Sequence, residues 1–155
     1  MGRTLRSDIK QVKPFKSLEE EVLLTIVRTA ADLEHQLEQE LKPFGITSTQ
    51  YNVLRILRGA GTDGLCRNEV GTRLVRPVPD VTRLLDRMDE AGLIARERGG
   101  MDRRYVTTRL TTKGLDLVNT LDRDIVKIHQ EQLGHMGRAR MKALLGLLAE
   151  VRNPS

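Results

Sequence analysis

Arg83 and Arg87 stand four residues apart in a segment whose apolar residues recur with helical spacing, which puts both guanidiniums on one face, a turn apart. A guanidinium carries a rigid fork of donors that fits guanine O6 and N7, or the oxygens of a phosphate, and the neighbouring Thr82 offers a methyl group suited to thymine. The competing reading is a solvated face on which Asp80 and Asp86 compensate the arginines. Further along, Asp102 and Arg104 alternate about Arg103 on an extended stretch, so a carboxylate can brace a guanidinium and aim it. An arginine held in that way suits the strong negative potential of a narrow minor groove. Both clusters therefore point at a polyanion, and a flexible charged turn is the plain alternative for the second.

Composition limits what such clusters can serve. The chain of 155 residues is 39% hydrophobic and 30% charged with a formal charge of +5, which fits a folded domain with its own core and excludes a disordered polyampholyte. The positive surplus is local: residues 1–16 and 66–113 each carry +4, whereas 17–65 carry −4. Tyr51, Tyr105, Phe15 and Phe44 are the whole aromatic inventory, too few for a platform that stacks unpaired bases, so duplex DNA is favoured over single strands. No phosphate loop, nucleophile elbow or metalloprotease helix motif is present, and the expectation is a non-enzyme. His35, His129 and His135 do not converge, since the last two lie about 120° apart around a helix, so neither metal nor cofactor is expected. Cys66, the single cysteine, cannot form an internal disulfide; Arg67 beside it makes a redox role conceivable, against the ordinary role of a small buried hydrophobe. With no apolar run of roughly 20 residues, a reducing cytoplasm is the expected home and no membrane is implied.

The elements that would position these residues follow from caps and periodicity. Residues 1–16 lack a helical stripe and read as a flexible basic arm. Ser17 and Glu20 form a capping-box pattern ahead of a long helix with Leu18, Val22, Ile26, Leu33, Leu37 and Leu41, ending before Pro43. Thr47 and Gln50 repeat the box before a short helix that Gly59 and Gly61 stop. A third helix is expected over 68–75 and is broken by Pro77. Pro79 fits the first position of a fourth, whose Val81, Leu84, Leu85 and Met88 face the core, with Gly92 at its end. Residues 93–98 and 105–110 read as a hairpin with a basic tip, Thr111 as the cap of a final long helix, and Met141, Leu144, Leu145 and Leu148 as the stripe of a second C-terminal helix. The fold class is mainly α with a small β-hairpin wing: a winged helix-turn-helix at 46–110, one helix for the major groove and one hairpin for the minor groove.

Three motifs occur in order: Val81-Thr82-Arg83-Leu84-Leu85-Asp86-Arg87-Met88 running to Gly92-Leu93-Ile94, then Asp102-Arg103-Arg104, then Leu110-Thr111-Thr112-Lys113-Gly114. Together they resemble the MarR family of bacterial transcriptional regulators. The resemblance implies helices at 17–45 and 111–155 that form a homodimer, and a pseudo-palindromic operator read by the helix around Pro79 to Ala91. It also implies Arg104 in the minor groove, and release of the DNA by a small aromatic or anionic effector held between the dimer helices and the winged domain. Repression is the usual outcome in such families. The Arg76-Pro77-Val78-Pro79-Asp80 stretch departs from the family's usual Ser or Thr ahead of the recognition helix, and Cys66 stands where a capping Ser, Thr or Asn is ordinary. A winged-helix adaptor for protein, or an oxidant sensor using Cys66, are the alternatives.

Overall fold

The computed structural model describes residues 2–99 and 105–155, so Asp102, Arg103 and Arg104 lie outside the described residues. The chain divides into two compact units, Met1–Gly45 and Ile46–Ser155.

In the first unit the basic arm is folded rather than loose. Thr4 caps a helical turn, α1 (Leu5–Asp8), by accepting from the Ser7 N–H. Arg3 pairs with Asp8 at 2.8 Å, and the Arg6 guanidinium closes the next turn by donating to the Gln11 carbonyl at 3.1 Å and to that of Val12. Periodicity missed this turn because side chains, not an apolar stripe, hold it. The long helix α2 (Leu18–Leu41) starts at Ser17, whose hydroxyl accepts from Glu20 N–H at 3.1 Å. Glu20 returns a bond at 2.6 Å, to Lys16 N–H rather than to Ser17, and Glu19, Glu20 and Glu21 place negative charge at the positive end of the helix dipole. Leu18, Val22, Leu23 and Val27 are exposed along α2.

The second unit begins with α3 (Ser48–Ala60), for which Thr47 and Gln50 make both bonds of the capping box, at 3.1 and 3.0 Å. Two short helices follow, α4 (Arg67–Arg73) and α5 (Val81–Glu90). The third helix is thus shorter than 68–75 and begins one residue earlier. Pro79 lies outside the fourth, because Asp80 is its N-cap and accepts from Arg83 N–H at 2.9 Å. Two start signals compete at adjacent positions, and the side-chain cap prevails over the proline.

Strands β2 (Ile94–Arg98) and β3 (Val106–Leu110) pair antiparallel, with Ile94 opposite Leu110 and Arg98 opposite Val106. A third strand, β1 (Leu65–Cys66), pairs with the other edge of β3, so the sheet order is β1-β3-β2. This two-residue strand has no pattern of its own. It depends on Gly64, whose φ is +68° and where a Cβ would come within 2.5 Å of the Thr108 carbonyl oxygen. Helices α6 (Thr112–Leu133) and α7 (Arg138–Arg152) complete the unit. Val53, Leu54 and Leu57 of α3, Val70, Leu85, Met88, Ile94, and Val118 and Leu121 of α6 are buried in its core. In contrast α7 buries none of its residues; Leu145 and Leu147 are 66% and 59% exposed.

Arg58 on α3 ties α6 in place through a two-pronged pair with Asp122, at 2.8 and 2.9 Å, and a 2.9 Å bond to the Asn119 side-chain oxygen. The hydrogen bond from Arg58 holds the Asp122 carboxyl below the usual carboxylate range. A depressed carboxylate stabilises the folded state above its unfolded pKa and loses that contribution as the pH falls through the folded one. We expect Asp122→Asn to lower stability at neutral pH by less than about 1 kcal/mol, because the pair is half exposed. Urea midpoints of the variant should fall less than those of the wild type as the pH is taken from neutral to below the carboxylate range.

Gly114, buried in the first turn of α6, sits where a Cβ would lie 2.1 Å from the Leu93 carbonyl oxygen. Gly114→Ala should therefore cost about 1–3 kcal/mol through forced backbone movement, read as a lower urea midpoint with unchanged slope.

Candidate nucleic-acid interface

Helix α5 is the element that carries Arg83 and Arg87, and its two ends are fixed by different means. At the N-terminus the Asp80 carboxylate caps the first turn. At the C-terminus Gly92, with φ +73°, lets the chain reverse: Gly92 N–H donates to Asp89 O at 2.9 Å and Leu93 N–H to Met88 O at 3.0 Å, with Leu93 and Met88 both buried beneath. The carbonyls exposed by this turn are then taken up by the start of α6. Thr111 donates its hydroxyl to Gly92 O at 2.6 Å and its N–H to Leu93 O at 3.2 Å, and Lys113 Nζ reaches Ala91 O at 2.7 Å. The same Thr111 hydroxyl accepts from Gly114 N–H at 3.1 Å and so caps α6.

Helix α4 is locked to its neighbours by single bonds. Asn52 of α3 accepts from Val75 N–H at 2.9 Å in the turn after α4, and Arg67 donates to the Thr82 hydroxyl at 2.9 Å. Gly71 faces the Val81 side chain at close range, with 3.2 Å available to a Cβ. The Thr82 hydroxyl thus accepts one bond within the protein, on an exposed residue.

The partners of the acidic residues decide the character of α5. Asp80 is used as the cap. Asp86 and Asp89 both turn to Arg96 on β2, at 2.6 and 3.0 Å. Burial works to lower the pKa of Arg96, and the two carboxylates more than reverse it, holding the guanidinium above its ordinary range. Arg83 and Arg87 are exposed, and among the described residues neither is paired with a carboxylate. The solvated-face reading, in which Asp80 and Asp86 neutralise these arginines, is therefore not the arrangement found. Arg96 was the missing signal; it is distant in sequence and meets the helix only once the sheet forms.

Sequence reasoning named Arg67 only as a neighbour of Cys66 and passed over Asn68 and Arg73, all three exposed polar residues on α4. Arg109 on β3 is pinned at 2.7 Å to the Thr62 carbonyl and at 2.5 Å to Glu97. Cys66 ends β1 and is the N-cap of α4, and its N–H donates to the Glu69 carboxylate at 2.8 Å, the return bond of a capping box. A cleft of about 330 Å³ opens beside it, lined among others by Arg67, Thr82, Arg96 and Tyr105. The Tyr105 phenol is held above its ordinary range by a hydrogen bond with the Cys66 side chain and by the nearby Glu69 carboxylate. Among the described residues no cluster of three His, Cys, Asp or Glu is arranged to hold a metal ion, and no helix is long and apolar enough to cross a membrane.

Three short helices ahead of a small antiparallel sheet, the third of them presenting unneutralised arginines, define a winged helix-turn-helix of the kind found in DNA-binding transcription regulators. A sequence model of the MarR family matches residues 44–104. The chain is 34% identical to a MarR transcription factor from Planctomyces limnophilus of known structure, covering 88% of this chain and 98% of that one with a TM-score of 0.68. It is also 26% identical over 138 residues to the HTH-type transcriptional regulator FarR of Neisseria gonorrhoeae, covering 89% of this chain and 93% of FarR. The fold is shared with Bordetella bronchiseptica BpsR, whose DNA binding is regulated by 6-hydroxynicotinic acid, at 23% identity, a TM-score of 0.78 and coverage of 92% and 100%. The chain belongs to the MarR family of transcription regulators.

Removing Arg96 should release two carboxylates on the helix that carries Arg83 and Arg87. Arg96→Ala is expected to weaken duplex binding about tenfold, or about 1.4 kcal/mol. Adding Asp86→Asn and Asp89→Asn to that variant should recover most of the loss in a fluorescence anisotropy titration. No recovery would mean that Arg96 acts by packing alone.

Proposed function

We propose that the protein is a non-enzymatic, sequence-specific regulator, most simply a repressor, that binds a pseudo-palindromic operator as a homodimer in the cytoplasm and leaves it when a small aromatic or anionic effector binds. One observation carries the reading: α5 spends its three aspartates on its own cap and on Arg96, and leaves Arg83 and Arg87 outward with no carboxylate paired to either among the described residues. A helix so prepared fits the major groove, where either arginine can fork onto a guanine and the Thr82 methyl can meet a thymine. Asp80 sets where the helix begins against the backbone, with Pro79 directly ahead of it. In this reading the 46–110 segment is the reading head, and Asp102, Arg103 and Arg104 form the tip of the wing, with Arg104 in the minor groove.

Exposed apolar side chains on the helices of both flanking regions, 17–45 and 111–155, supply the surface for a second copy. The effector part of the proposal leans on BpsR, which shares the fold. An effector can release DNA only as far as it prefers the head spacing that the operator does not.

The test begins with duplexes selected by the protein from a random library. Log affinity should fall steeply with log salt, by roughly 0.9 for each phosphate neutralised. Arg83→Ala should cost about 1–3 kcal/mol and relax preference at one base-pair position in each half-site. Arg104→Ala should weaken binding most where the minor groove is narrow. A salt-insensitive complex, or no inverted repeat among the selected duplexes, would overturn the proposal.

A further inference from the structure

The segment ahead of α2 carries five basic residues and one acidic one, and the structure divides those charges into two sets. Arg3 is spent on Asp8, and Arg6 on the carbonyls of Gln11 and Val12. Gln11 adds a 3.0 Å bond from its amide to the Lys13 carbonyl, and Lys16 N–H is fixed by Glu20. The backbone of the segment is thereby folded into successive turns, with Lys10 in the left-handed region at φ +54°. What remains are Lys10, Lys13 and Lys16, three exposed ammonium groups at every third residue, none paired with a carboxylate among the described residues. No acidic residue lies between Asp8 and Lys16.

We propose that this folded segment is a second, sequence-independent contact with nucleic acid, in which Lys10, Lys13 and Lys16 meet phosphates of the duplex. The inference rests on the reading that the protein binds duplex DNA and adds a surface that the winged helix-turn-helix does not contain. Lysine is suited to this task and arginine less so: an ammonium on a flexible stem is a point charge that satisfies a phosphate without demanding a base-pair register. The division of labour within the segment agrees, since its arginines donate to groups of the segment itself, Arg3 to Asp8 and Arg6 to two carbonyls, and its lysines are left without such a bond among the described residues. An acidic protein would be the alternative partner. Such an interface needs desolvated apolar or aromatic anchors as well as charge, and here Val12 alone is strongly exposed.

The measurement is the salt dependence of binding by the full chain, wild type against the triple variant Lys10→Gln, Lys13→Gln, Lys16→Gln, on a selected operator and on an unrelated duplex of equal length. Each lysine that meets a phosphate adds roughly 0.9 to the slope of log affinity against log salt, so the variant should lose up to roughly 2.7 per protomer. The loss should be equal on both duplexes, which leaves the operator preference unchanged, and the triple Lys→Arg variant should restore the slope. Matching thermal melts establish that the glutamine variant is folded. An unchanged slope, with wild type still binding its operator, would overturn the arm contact alone and would be the expected result if its partner were an acidic protein. Wild type that binds no duplex would overturn the DNA reading and the arm contact together.

Discussion

The place of α5 within the second unit depends on one small joint at its C-terminal end, beside its ties to Arg96 and Arg67 and its buried Leu85 and Met88. Three consecutive carbonyls at the end of α5, those of Ala91, Gly92 and Leu93, are received by Lys113 and Thr111 at the start of α6. A helix end leaves such carbonyls without partners within the helix. Here the requirement is met by the first turn of the next long helix rather than by water. Gly114 makes the approach possible, because no other side chain fits against Leu93 O. The joint therefore couples the direction of α5 to that of α6 as a rigid corner, and a tilt of one must be followed by the other.

Around this corner, electrostatics are sorted by distance in the chain. Short-range bonds make the caps: Ser17 to Glu20, Thr47 to Gln50, Asp80 to Arg83 and Thr111 to Gly114 are all three residues apart. Long-range bonds make the tertiary ties: Arg58 to Asp122, Arg96 to Asp86 and Asp89, and Arg109 to Thr62. In each of these ties the donor is an arginine. Its forked, always charged head serves two acceptors at once, which a lysine cannot do with the same geometry.

That sorting also explains what could be read from the residues in advance. The caps, the Gly92 stop and the core stripe of α5 obey local rules, and they were legible, as was the winged helix-turn-helix built from them. Pro79 was misplaced because a proline and an aspartate both signal a helix start and only the fold decides between them. The basic arm was read as loose because its order comes from Arg3 and Arg6, which periodicity does not register. Strand β1 was invisible, being two residues paired to a segment more than forty positions away. The fate of Asp86 turned on the same limit: on the helix it lies one turn from Arg83, yet its partner comes from the sheet.

One feature of the interface bears on how the protein and a nucleic acid first meet. With Asp86 and Asp89 drawn to the β2 side and Arg83 and Arg87 turned to solvent, with Glu90 beside them, most of the acidic charge of α5 is set apart from its basic charge across the width of the helix. Such a separation is a transverse dipole, and in the field of a polyanion it produces a torque. The molecule would be rotated toward its productive face while still about a Debye length away, before any base is touched, so fewer collisions would be wasted on the wrong orientation.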